Sequence, residues 1–452
     1  MCRPRSAHWN SNDEFFKFTR GRFIVDEVEN FRMREIKFDL NGLARVAADS
    51  IGAAQCISIK KYPDGMFNKA FLTTMEDGRE VVAKVPHPNS GVPHFTTASE
   101  VATMDFATKI LDTPAPHVHA WNSQAQSHPV GAEFIIMDKI EGVPLSQVWS
   151  TMQLPQRLKV ILALTSLQKK WLSVSFPHYG SLYYTGDVHS LAGSHYIKDG
   201  MAVTDSEFAI GPATGRDWFD AGRSILDIKR GPYPHNPGKI TGIIDWQSCH
   251  ISPLFNHNPD PAFLYWGGLE PETLDLAPRP ALSGLSPEER SEAMRNYTVQ
   301  NVFIGWRKLM HAKNPELYQA VEFRKTAAYG LIFLAHRMFE YGEAHFLSLL
   351  VDLKHTWADL PGVTSDIPFP YEFSETDFDR IKLDSDGAVA GTELVSELKE
   401  KMGDLWPDKG FIEHEGYNEC KAALDEVKGQ IIEQLAESDE EKAEYQRHWP
   451  FE

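Results

Sequence analysis

The chain has 452 residues, of which 42% are hydrophobic and 11% are aromatic. That composition is typical of a globular protein with a sizeable core, and the length favours two domains or one domain with appendages. The formal net charge of −18 argues against nucleic acid or an anionic membrane as the main partner. A bound phosphate compound would therefore need local positive side chains or a metal ion to offset the negative field.

The cysteines lie far apart in the sequence, at Cys2, Cys56, Cys249 and Cys420, and none belongs to a CxxC pair. This spacing favours a reducing compartment and argues against both a disulfide framework and a zinc site. No apolar run approaches the length of a membrane span, so we expect no integral membrane segment.

Residues 1–33 are predicted to be an N-terminal extension. Arg3 and Arg5 give its beginning a basic character, but Asp13 and Glu14 soon interrupt it. Mitochondrial transit peptides are rich in arginine and poor in acidic residues. The extension therefore has only weak features of a transit peptide.

Residues 34–141 are predicted to form a strand-rich unit. The stretch AAQCISIKKYPDGMFNKAFLTTMEDGREVVAKVPHP predicts three strands joined by turns, the second turn at Asp77-Gly78 and the third strand ending near Lys84. A helix is expected to begin at Thr97 or Ser99. Proline-rich DTPAPHVHAW is predicted to be a loop, and VGAEFIIMDKIEG an apolar strand ending in a charged turn.

The chain becomes helical in character from about residue 151. Pro155 suits the first turn of a helix, residues 173–240 show little periodicity, and helical patterns return later. These patterns cover 288–311, 316–358, 391–404 and 414–446. We therefore predict a helical unit over 142–390, a helical extension over 391–452, and a ligand cleft between the two main units.

Lys84 and Glu100 are candidate nucleotide-binding residues. Lys84 is a single cation on the apolar strand EVVAKVPHP, and Glu100 opens the next predicted helix. A strand lysine that forms an ion pair with a glutamate of the following helix is a known arrangement for binding phosphates. Taken singly, Lys84 could be a surface lysine and Glu100 a first-turn residue favoured by the helix dipole.

Two backbone segments are candidates for contact with a nucleotide. Gly65, Met66, Phe67 and Asn68 form a turn whose N–H groups could cover phosphates, although a full GxGxxG motif is absent. Met137, Asp138 and Lys139 could offer backbone hydrogen bonds to an adenine base where the apolar strand ends. The alternative for Gly65–Asn68 is an ordinary hairpin turn, and the alternative for Met137–Lys139 is the end of a buried central strand followed by a turn. Either would be compatible with the same residues.

Asp245 is the candidate metal ligand. It ends the apolar run in GKITGIIDWQ, and a carboxylate at the end of a buried strand is suited to hold Mg²⁺ beneath the phosphates of a nucleotide. The alternative is an Asx-turn or a helix cap. The preceding order of lysine, glutamate and adenine-binding segment favours the metal ligand.

The order of these blocks resembles the aminoglycoside phosphotransferase and choline kinase-like family. The similar stretches are GMFNKAFLTTMEDGREVVAKVPHP, TTASEVATMDFA, GAEFIIMDKIEGVPL, GRDWFDAGRS and GKITGIIDWQ, and the resemblance covers most of residues 14–446. They are particularly similar to a fungal branch known as altered inheritance of mitochondria protein nine-like. The resemblance implies a protein-kinase-like α+β fold, with a small β-rich N-lobe over 34–141 and a large helical C-lobe over 142–390.

The resemblance also implies ligands, residue roles and a location. It implies ATP and Mg²⁺, with Lys84 on the α- and β-phosphates, Glu100 as its partner, Gly65–Asn68 over the phosphates and Asp245 on the metal. Members of the fungal branch are assigned to mitochondria, which implies a mitochondrial location here, with the cytoplasm as the alternative.

One block of the family is missing from this chain. The family carries a catalytic loop of the form H-x-D-x-x-x-x-N before the metal-binding aspartate, and here the region reads RSILDIKRGPYPHNPGKITGIIDW. Asp227 stands near the right place but is followed five residues later by Pro232, and His235 and Asn236 are adjacent. A deletion near 225–238, removing a core helix of the C-lobe and the loop, would explain this. We therefore assign no catalytic residue.

Three functions remain open. The leading one is an ATP-dependent phosphotransferase whose activity is impaired by the missing loop, either as a pseudokinase-like variant or through a mis-spliced gene model. The second is a non-catalytic nucleotide-binding or scaffold protein. The third is a hydrolase using carboxylates such as Asp187 and Asp217, for which no nucleophile motif is present. The acceptor, a small molecule or a protein, is not readable from the residues.

Overall fold

The computed structural model describes two compact units. Its described residues are 9–188, 195–219, 223, 230–231, 233–234, 249, 251–264, 266–268, 270–360, 363–364 and 366–449. Within these, residues 9–97, 118–139 and 331–449 belong to a first unit, which we call the sheet unit. Residues 98–117 and 140–330 belong to a second unit, which we call the hairpin–helix unit.

The secondary-structure elements are labelled here in chain order. The described strands are β1 (Gly21–Phe23), β2 (Cys56–Lys61), β3 (Asn68–Met75), β4 (Glu80–Pro86), β5 (Val118–Asn122), β6 (Phe134–Asp138), β7 (Val174–Ser175), β8 (His178–Tyr179), β9 (Ser181–Tyr184), β10 (His195–Lys198), β11 (Met201–Thr204), β12 (Phe208–Gly211), β13 (Tyr233–Pro234) and β14 (Phe411–Glu413). The described α-helices are α1 (Glu27–Arg32), α2 (Leu40–Ser50), α3 (Phe95–Lys109), α4 (Leu145–Val148), α5 (Leu154–Trp171), α6 (Pro287–Lys313), α7 (Pro315–Arg324), α8 (Ala327–His336), α9 (Met338–Tyr341), α10 (Ala344–Thr356), α11 (Glu375–Met402), α12 (Tyr417–Leu435) and α13 (Asp439–Arg447).

The sheet unit is built on a five-stranded antiparallel sheet in the order β2-β3-β4-β6-β5. Strands β3 and β4 alternate strictly between buried and half-buried side chains. That alternation arises because successive side chains of a strand point to opposite faces. One face therefore forms the core, where α2 packs on the sheet with Leu40 and Leu43 fully buried.

The two ends of the described chain also belong to the sheet unit. Strand β1 pairs with β14 in antiparallel register, with Arg22 opposite Ile412. Helices α11 and α12 pack with Leu398, Cys420 and Leu424 in a second small core. A capping box starts α11, in which the Ser374 side chain accepts from the Asp377 N–H.

The hairpin–helix unit has two cores. In the first, Phe106 of α3 lies 5.3 Å from both the Tyr196 and the Phe208 ring centroids, on hairpins made by β7 to β12. In the second, α5, α6 and α7 bury Ile161, Trp306 and neighbouring apolar side chains. Aromatic burial of this size is a main source of stability in both cores.

The predicted α+β class is confirmed, with a β-sheet in the N-terminal part and helices dominating the C-terminal part. The three strands β2 to β4, the strand β6 and the helices α3 and α5 lie where the sequence predicts them, except that α3 begins at Phe95 and not at Thr97 or Ser99. Among the described residues, no helix is both long enough and apolar enough to cross a membrane. The predicted functional domain ranges stay a prediction, and the compact units follow other boundaries.

One local prediction was wrong, and other segments differ in their detail. The stretch DTPAPHVHAW, predicted to be a loop, ends in strand β5, because this strand pairs with β6 despite the prolines that precede it. Residues 173–240 contain the short strands β7 to β13, each of two to four residues and thus too short to show a period. The pattern at 391–404 is the end of the longer helix α11, and 316–358 is divided among α7 to α10.

Candidate functional site

Lys84 lies in the middle of β4, on the face of the sheet opposite the core. Its neighbours Val81, Ala83 and Val85 point into the core and are buried, whereas Lys84 is half-buried. A lysine can lay its methylene stem along an apolar surface while its ammonium group reaches a polar ligand. Lys84 is therefore placed to present a positive charge on this second face.

The cross-strand neighbours of Lys84 in the sheet are apolar. In the register of the sheet, Ala70 of β3 and Ile135 of β6 lie on either side of Lys84. The next row on the same face consists of Leu72, Val82 and Met137. We call these two rows of β3, β4 and β6 the Lys84 face: an apolar floor that carries one lysine and is bordered on β2 by Lys60, which lies opposite Leu72.

The candidate phosphate turn lies at one end of the Lys84 face. The Gly65 N–H donates to the Asn68 carbonyl at 3.0 Å, and the His87 N–H donates to the Phe67 carbonyl at 2.9 Å. Because Asn68 starts β3 and Ala70 is opposite Lys84, the turn is one row from the lysine. A Cβ added to Gly65 would meet backbone atoms only of Asn68, the nearest at 3.4 Å, so the turn itself does not require glycine.

A buried charge network holds this turn from the core side. The Asp64 carboxylate lies 2.7 Å from the Lys61 ammonium and 3.1 Å from that of Lys69, and the side chains of Asp64 and Lys69 are fully buried. The Lys69 Nζ also donates to the Lys17 carbonyl at 2.7 Å, and the Thr19 N–H donates to Asp64 at 2.8 Å. The network therefore ties both ends of the turn to residues 17–19.

The protonation states of this network follow from its burial. Burial lowers the pKa of Lys69 to about 8, although the negative charge of Asp64 acts in the opposite direction. Burial alone would raise the pKa of the Asp64 carboxyl, but the hydrogen bond from Lys61 and the charge of Lys69 hold it below its ordinary value. At neutral pH, Lys69 is therefore protonated and Asp64 ionised.

His87 completes the network from the end of β4. Its Nε2 lies 4.0 Å from the Asp64 carboxylate, and its side chain is fully buried. Burial and the positive charge of Lys69 lower the pKa of His87 to about 3. His87 is therefore neutral at physiological pH, and folding disfavours its protonation.

The predicted adenine-binding residues lie at the other end of the Lys84 face. Met137 is opposite both Val82 and Val118, where the register of β5 begins, so residues 138–139 extend beyond that end of β5. The Asp138 carboxylate lies 2.7 Å from His119 Nε2. The Lys139 Nζ lies 2.8 Å from Glu80. These side chains occupy the surface and leave any role in binding a base to the backbone.

The remaining predicted residues stay untested as partners of Lys84. Glu100 is buried in α3 and belongs to the hairpin–helix unit, so its pairing with Lys84 stays a prediction. Asp245 lies outside the described residues, as do Asp227, Pro232, His235, Asn236 and most of the predicted deletion site near 225–238. Among the residues that the structure describes, no three His, Cys, Asp or Glu side chains come together to hold a metal ion.

The carboxylates considered for a hydrolase lie in the hairpin–helix unit. Asp187 is in a turn after β9, where its N–H donates to the Tyr184 carbonyl at 3.0 Å. Asp217 is in a 3-10 helix, Arg216–Trp218, and its side chain lies outside the described part. Neither position gives the hydrolase hypothesis any support.

The sequence analysis missed Asp64, Lys69 and His87. Lys69 falls on the same phase of β3 as Phe71, Thr73 and Met75, which are all buried. A lysine on the apolar phase of a strand predicts a buried partner, and Asp64 is five residues earlier. His94 and Glu133 were also missed: the His94 N–H donates to Glu133 at 2.7 Å across 39 residues, which no local pattern could reveal.

Comparison with known proteins gives partial matches. Proteins called subtelomeric hrmA-associated cluster protein, from two strains of Aspergillus fumigatus, are each 38% identical over 199 residues, 44% of this chain and 34% of theirs. Altered inheritance of mitochondria protein 9, mitochondrial, of Yarrowia lipolytica is 28% identical over 249 residues, 49% of this chain and 42% of that protein. The chain thus spans less than half the length of these relatives, and no protein-family model matches it.

Among solved structures, the chain is similar to one described as a fructosamine-3-kinase of Thermobifida fusca. The two are 12% identical, and the match covers 68% of this chain and 95% of the other. The TM-score is 0.28, which is too low for the likeness to bear on the fold. The Aspergillus fumigatus and Yarrowia lipolytica proteins are therefore the informative matches.

Proposed function

We propose that this chain is a nucleotide-binding protein related to kinase-like phosphotransferases, and that it binds ATP with Mg²⁺ on the Lys84 face. The observation that carries the proposal is the order of features along one face: the Gly65–Asn68 turn, then Lys84, then an apolar floor, then the strand end at residues 138–139. A nucleotide presents the matching order of phosphates, sugar and apolar base.

The chain's own residues would divide the work of binding. The Lys84 ammonium would neutralise phosphate oxygens, and the N–H groups of the turn would donate to them. Leu72, Val82 and Met137 would exclude water from the base. Bound Mg²⁺ supplies charge neutralisation at the phosphates, and by the family resemblance Asp245 would hold it.

The catalytic step is proposed to be impaired. Without the H-x-D-x-x-x-x-N loop, the chain lacks the aspartate that positions or deprotonates an acceptor hydroxyl, and loss of a positioned base costs about 10²- to 10⁴-fold in rate. A non-catalytic nucleotide-binding or scaffold role is the second candidate, and this missing loop favours it. We also propose a mitochondrial location, supported by the names of the yeast relatives.

A thermal-shift series with ATP and Mg²⁺ tests the proposal. We expect the wild-type protein to be stabilised, Lys84→Ala and Asp245→Ala to lose most of the shift, and Lys37→Ala to keep it. Lys37 is the control because it is an exposed lysine of the sheet unit that lies outside the five-stranded sheet. Absence of a shift in the wild type would contradict nucleotide binding.

Two further measurements separate the enzyme from the scaffold. Production of ADP by the wild type that is lost in Asp245→Ala would favour residual phosphotransferase activity, whereas a thermal shift without ADP would favour the scaffold. Sequencing the transcript across codons 220–245 would show whether an additional exon supplies the catalytic loop.

A further inference from the structure

The hairpin–helix unit contains a cavity of about 530 Å³ that the proposed nucleotide site does not use. It lies where the beginnings of α5 and α6 approach the segment around Phe263. Residues of three kinds line it: aromatic, apolar and basic, among them Trp149, Arg157, Phe263, Met294, Arg295 and Val302. A volume of this size is in the range that holds small organic ligands.

The walls of the cavity suit a flat apolar group. The Trp149 and Phe263 ring centroids are 4.6 Å apart with planes inclined at 55°. Val302 is buried and closes the apolar side, while Met294 is half-buried and adaptable in shape. Aromatic walls of this kind bind planar rings through area burial and favourable ring geometry.

Arg157 supplies a fixed positive group at this site. Its Nε donates to the Trp149 carbonyl at 3.1 Å, and its Nη2 donates to the Ser150 carbonyl at 2.8 Å. These two bonds hold the guanidinium in place, so little side-chain entropy remains to be lost when an anion binds.

Arg295 supplies a second positive group from α6. Its Nη1 donates to the Ser291 hydroxyl one turn earlier, at 3.1 Å. None of the residues lining the cavity is acidic. Within the described ranges, the guanidinium contacts of Arg157 and Arg295 are with two carbonyls, a hydroxyl and the Trp149 ring, and neither side chain forms an ion pair with a carboxylate. The two arginines therefore attract an anion rather than neutralise an internal acid.

We propose that this cavity binds a small planar apolar molecule carrying one acid group, such as an aromatic carboxylate. The ring lies against Trp149 and Phe263, and the acid group accepts hydrogen bonds from Arg157 and Arg295. Guanidinium groups match carboxylates in geometry, and charge-assisted hydrogen bonds are the stronger kind. This site does not depend on the nucleotide proposal.

A pair of fluorescent probes tests the site in the full chain. The anionic probe is 8-anilinonaphthalene-1-sulfonate, and the neutral one is N-phenyl-1-naphthylamine, which lacks only the sulfonate. We expect the anionic probe to bind the wild-type protein at least about tenfold more tightly, as expected for hydrogen bonds to charged groups. Equal affinities for the two probes would overturn the proposal.

Variants locate the binding within the cavity. Arg295→Met is expected to weaken the anionic probe about tenfold and leave the neutral probe unchanged, whereas Thr298→Trp, which fills the cavity, should weaken both. Arg290→Met is the matched control, because Arg290 is an exposed arginine of α6 that does not line the cavity. Equal loss in Arg295→Met and Arg290→Met, or no loss in Thr298→Trp, would refute the site. Because Arg157 also supports the backbone, the test does not depend on replacing it.

Discussion

Both units of this chain bury charged side chains, but in different ways. In the sheet unit, Asp64 and Lys69 are fully enclosed and lie beside a buried neutral histidine, His87. In the hairpin–helix unit, the buried Arg307 is paired with Asp260 and Glu270, whose side chains are partly exposed. The pKa values of Lys69 and His87 in the first network are about 8 and about 3, so their protonation can change within the pH range of an ordinary experiment. Arg307 of the second network stays charged throughout that range.

The pairing of Arg307 explains this difference. Burial acts to lower the pKa of Arg307, but hydrogen bonds to Asp260 and Glu270 outweigh burial and raise the pKa above its ordinary value. The guanidinium also lies over the Phe303 ring, 4.5 Å from its centroid. Charge on Arg307 is therefore constant across the accessible pH range, whereas the state of the sheet network depends on pH.

The largest expected effect is from breaking the sheet network. Asp64→Asn would leave Lys69 buried without its counter-charge, and removing one partner of a buried ion pair costs about 3–5 kcal/mol. Urea unfolding of the full chain measures this loss. The control Glu29→Gln, which removes an exposed pair with Arg32, should change the free energy of unfolding little.

The double variant Asp64→Asn with Lys69→Met sharpens that result. Because neither buried charge remains, we expect it to be more stable than Asp64→Asn alone. If the double variant lost as much stability relative to the wild type as Asp64→Asn and Lys69→Met lose separately, added together, the charge network would not be the reason for the effect.

Breaking the Arg307 network should have a smaller effect. Arg307→Met would cost about 2–3 kcal/mol, because the two carboxylates left behind are partly exposed and can regain water. Urea unfolding again provides the measurement. A loss larger than that of Asp64→Asn would reverse the proposed difference between the units.

Acid should destabilise the sheet unit through His87. The folded pKa of about 3 lies below the ordinary value of 6.5, so the unfolded chain binds an extra proton between these values. Stability therefore falls as the pH falls from 6.5 towards 3, by about 1.4 kcal/mol per pH unit from this group. Compared with His87→Gln, the wild type should lose about 2–3 kcal/mol more between pH 7 and pH 4.5. Parallel losses in the two proteins would argue against this origin.

The smallest expected effect concerns the exposed side of α5. Leu162→Gln should change the free energy of unfolding by less than about 0.5 kcal/mol, because Leu162 is 56% exposed. Its neighbour Ile161 is 3% exposed, and Ile161→Ala should cost about 2–5 kcal/mol. Comparable costs for the two substitutions would mean that both faces of α5 are buried.

The sequence predicted elements whose signal is local. The alternation of β3 and β4 and the first-turn proline of α5 are visible within a few residues. Strand β5 could not be predicted in the same way, because its pairing with β6 outweighs the local proline signal. The strands of residues 173–240 are likewise defined by their partners, since two to four residues carry no period.

In the candidate site, too, only the residues that lie close together in the sequence could be predicted. Lys84 and the turn at Gly65–Asn68 could be identified because they lie close together in sequence and belong to a quoted family block. The contacts of Asp64 with Thr19 and of His94 with Glu133 join residues 45 and 39 positions apart. Such contacts are fixed by tertiary packing, so residue spacing could not predict them.

The central claim is that Lys84 and the turn beside it bind the phosphates of a nucleotide. Isothermal titration calorimetry of the wild type, Lys84→Ala and the control Lys37→Ala with ATP and Mg²⁺ tests it most directly. We expect Lys84→Ala to weaken binding roughly 10- to 100-fold, the value of a charge-assisted hydrogen bond, and Lys37→Ala to leave it unchanged. Absence of binding by the wild type, or equal affinity of Lys84→Ala and the wild type, would contradict the account.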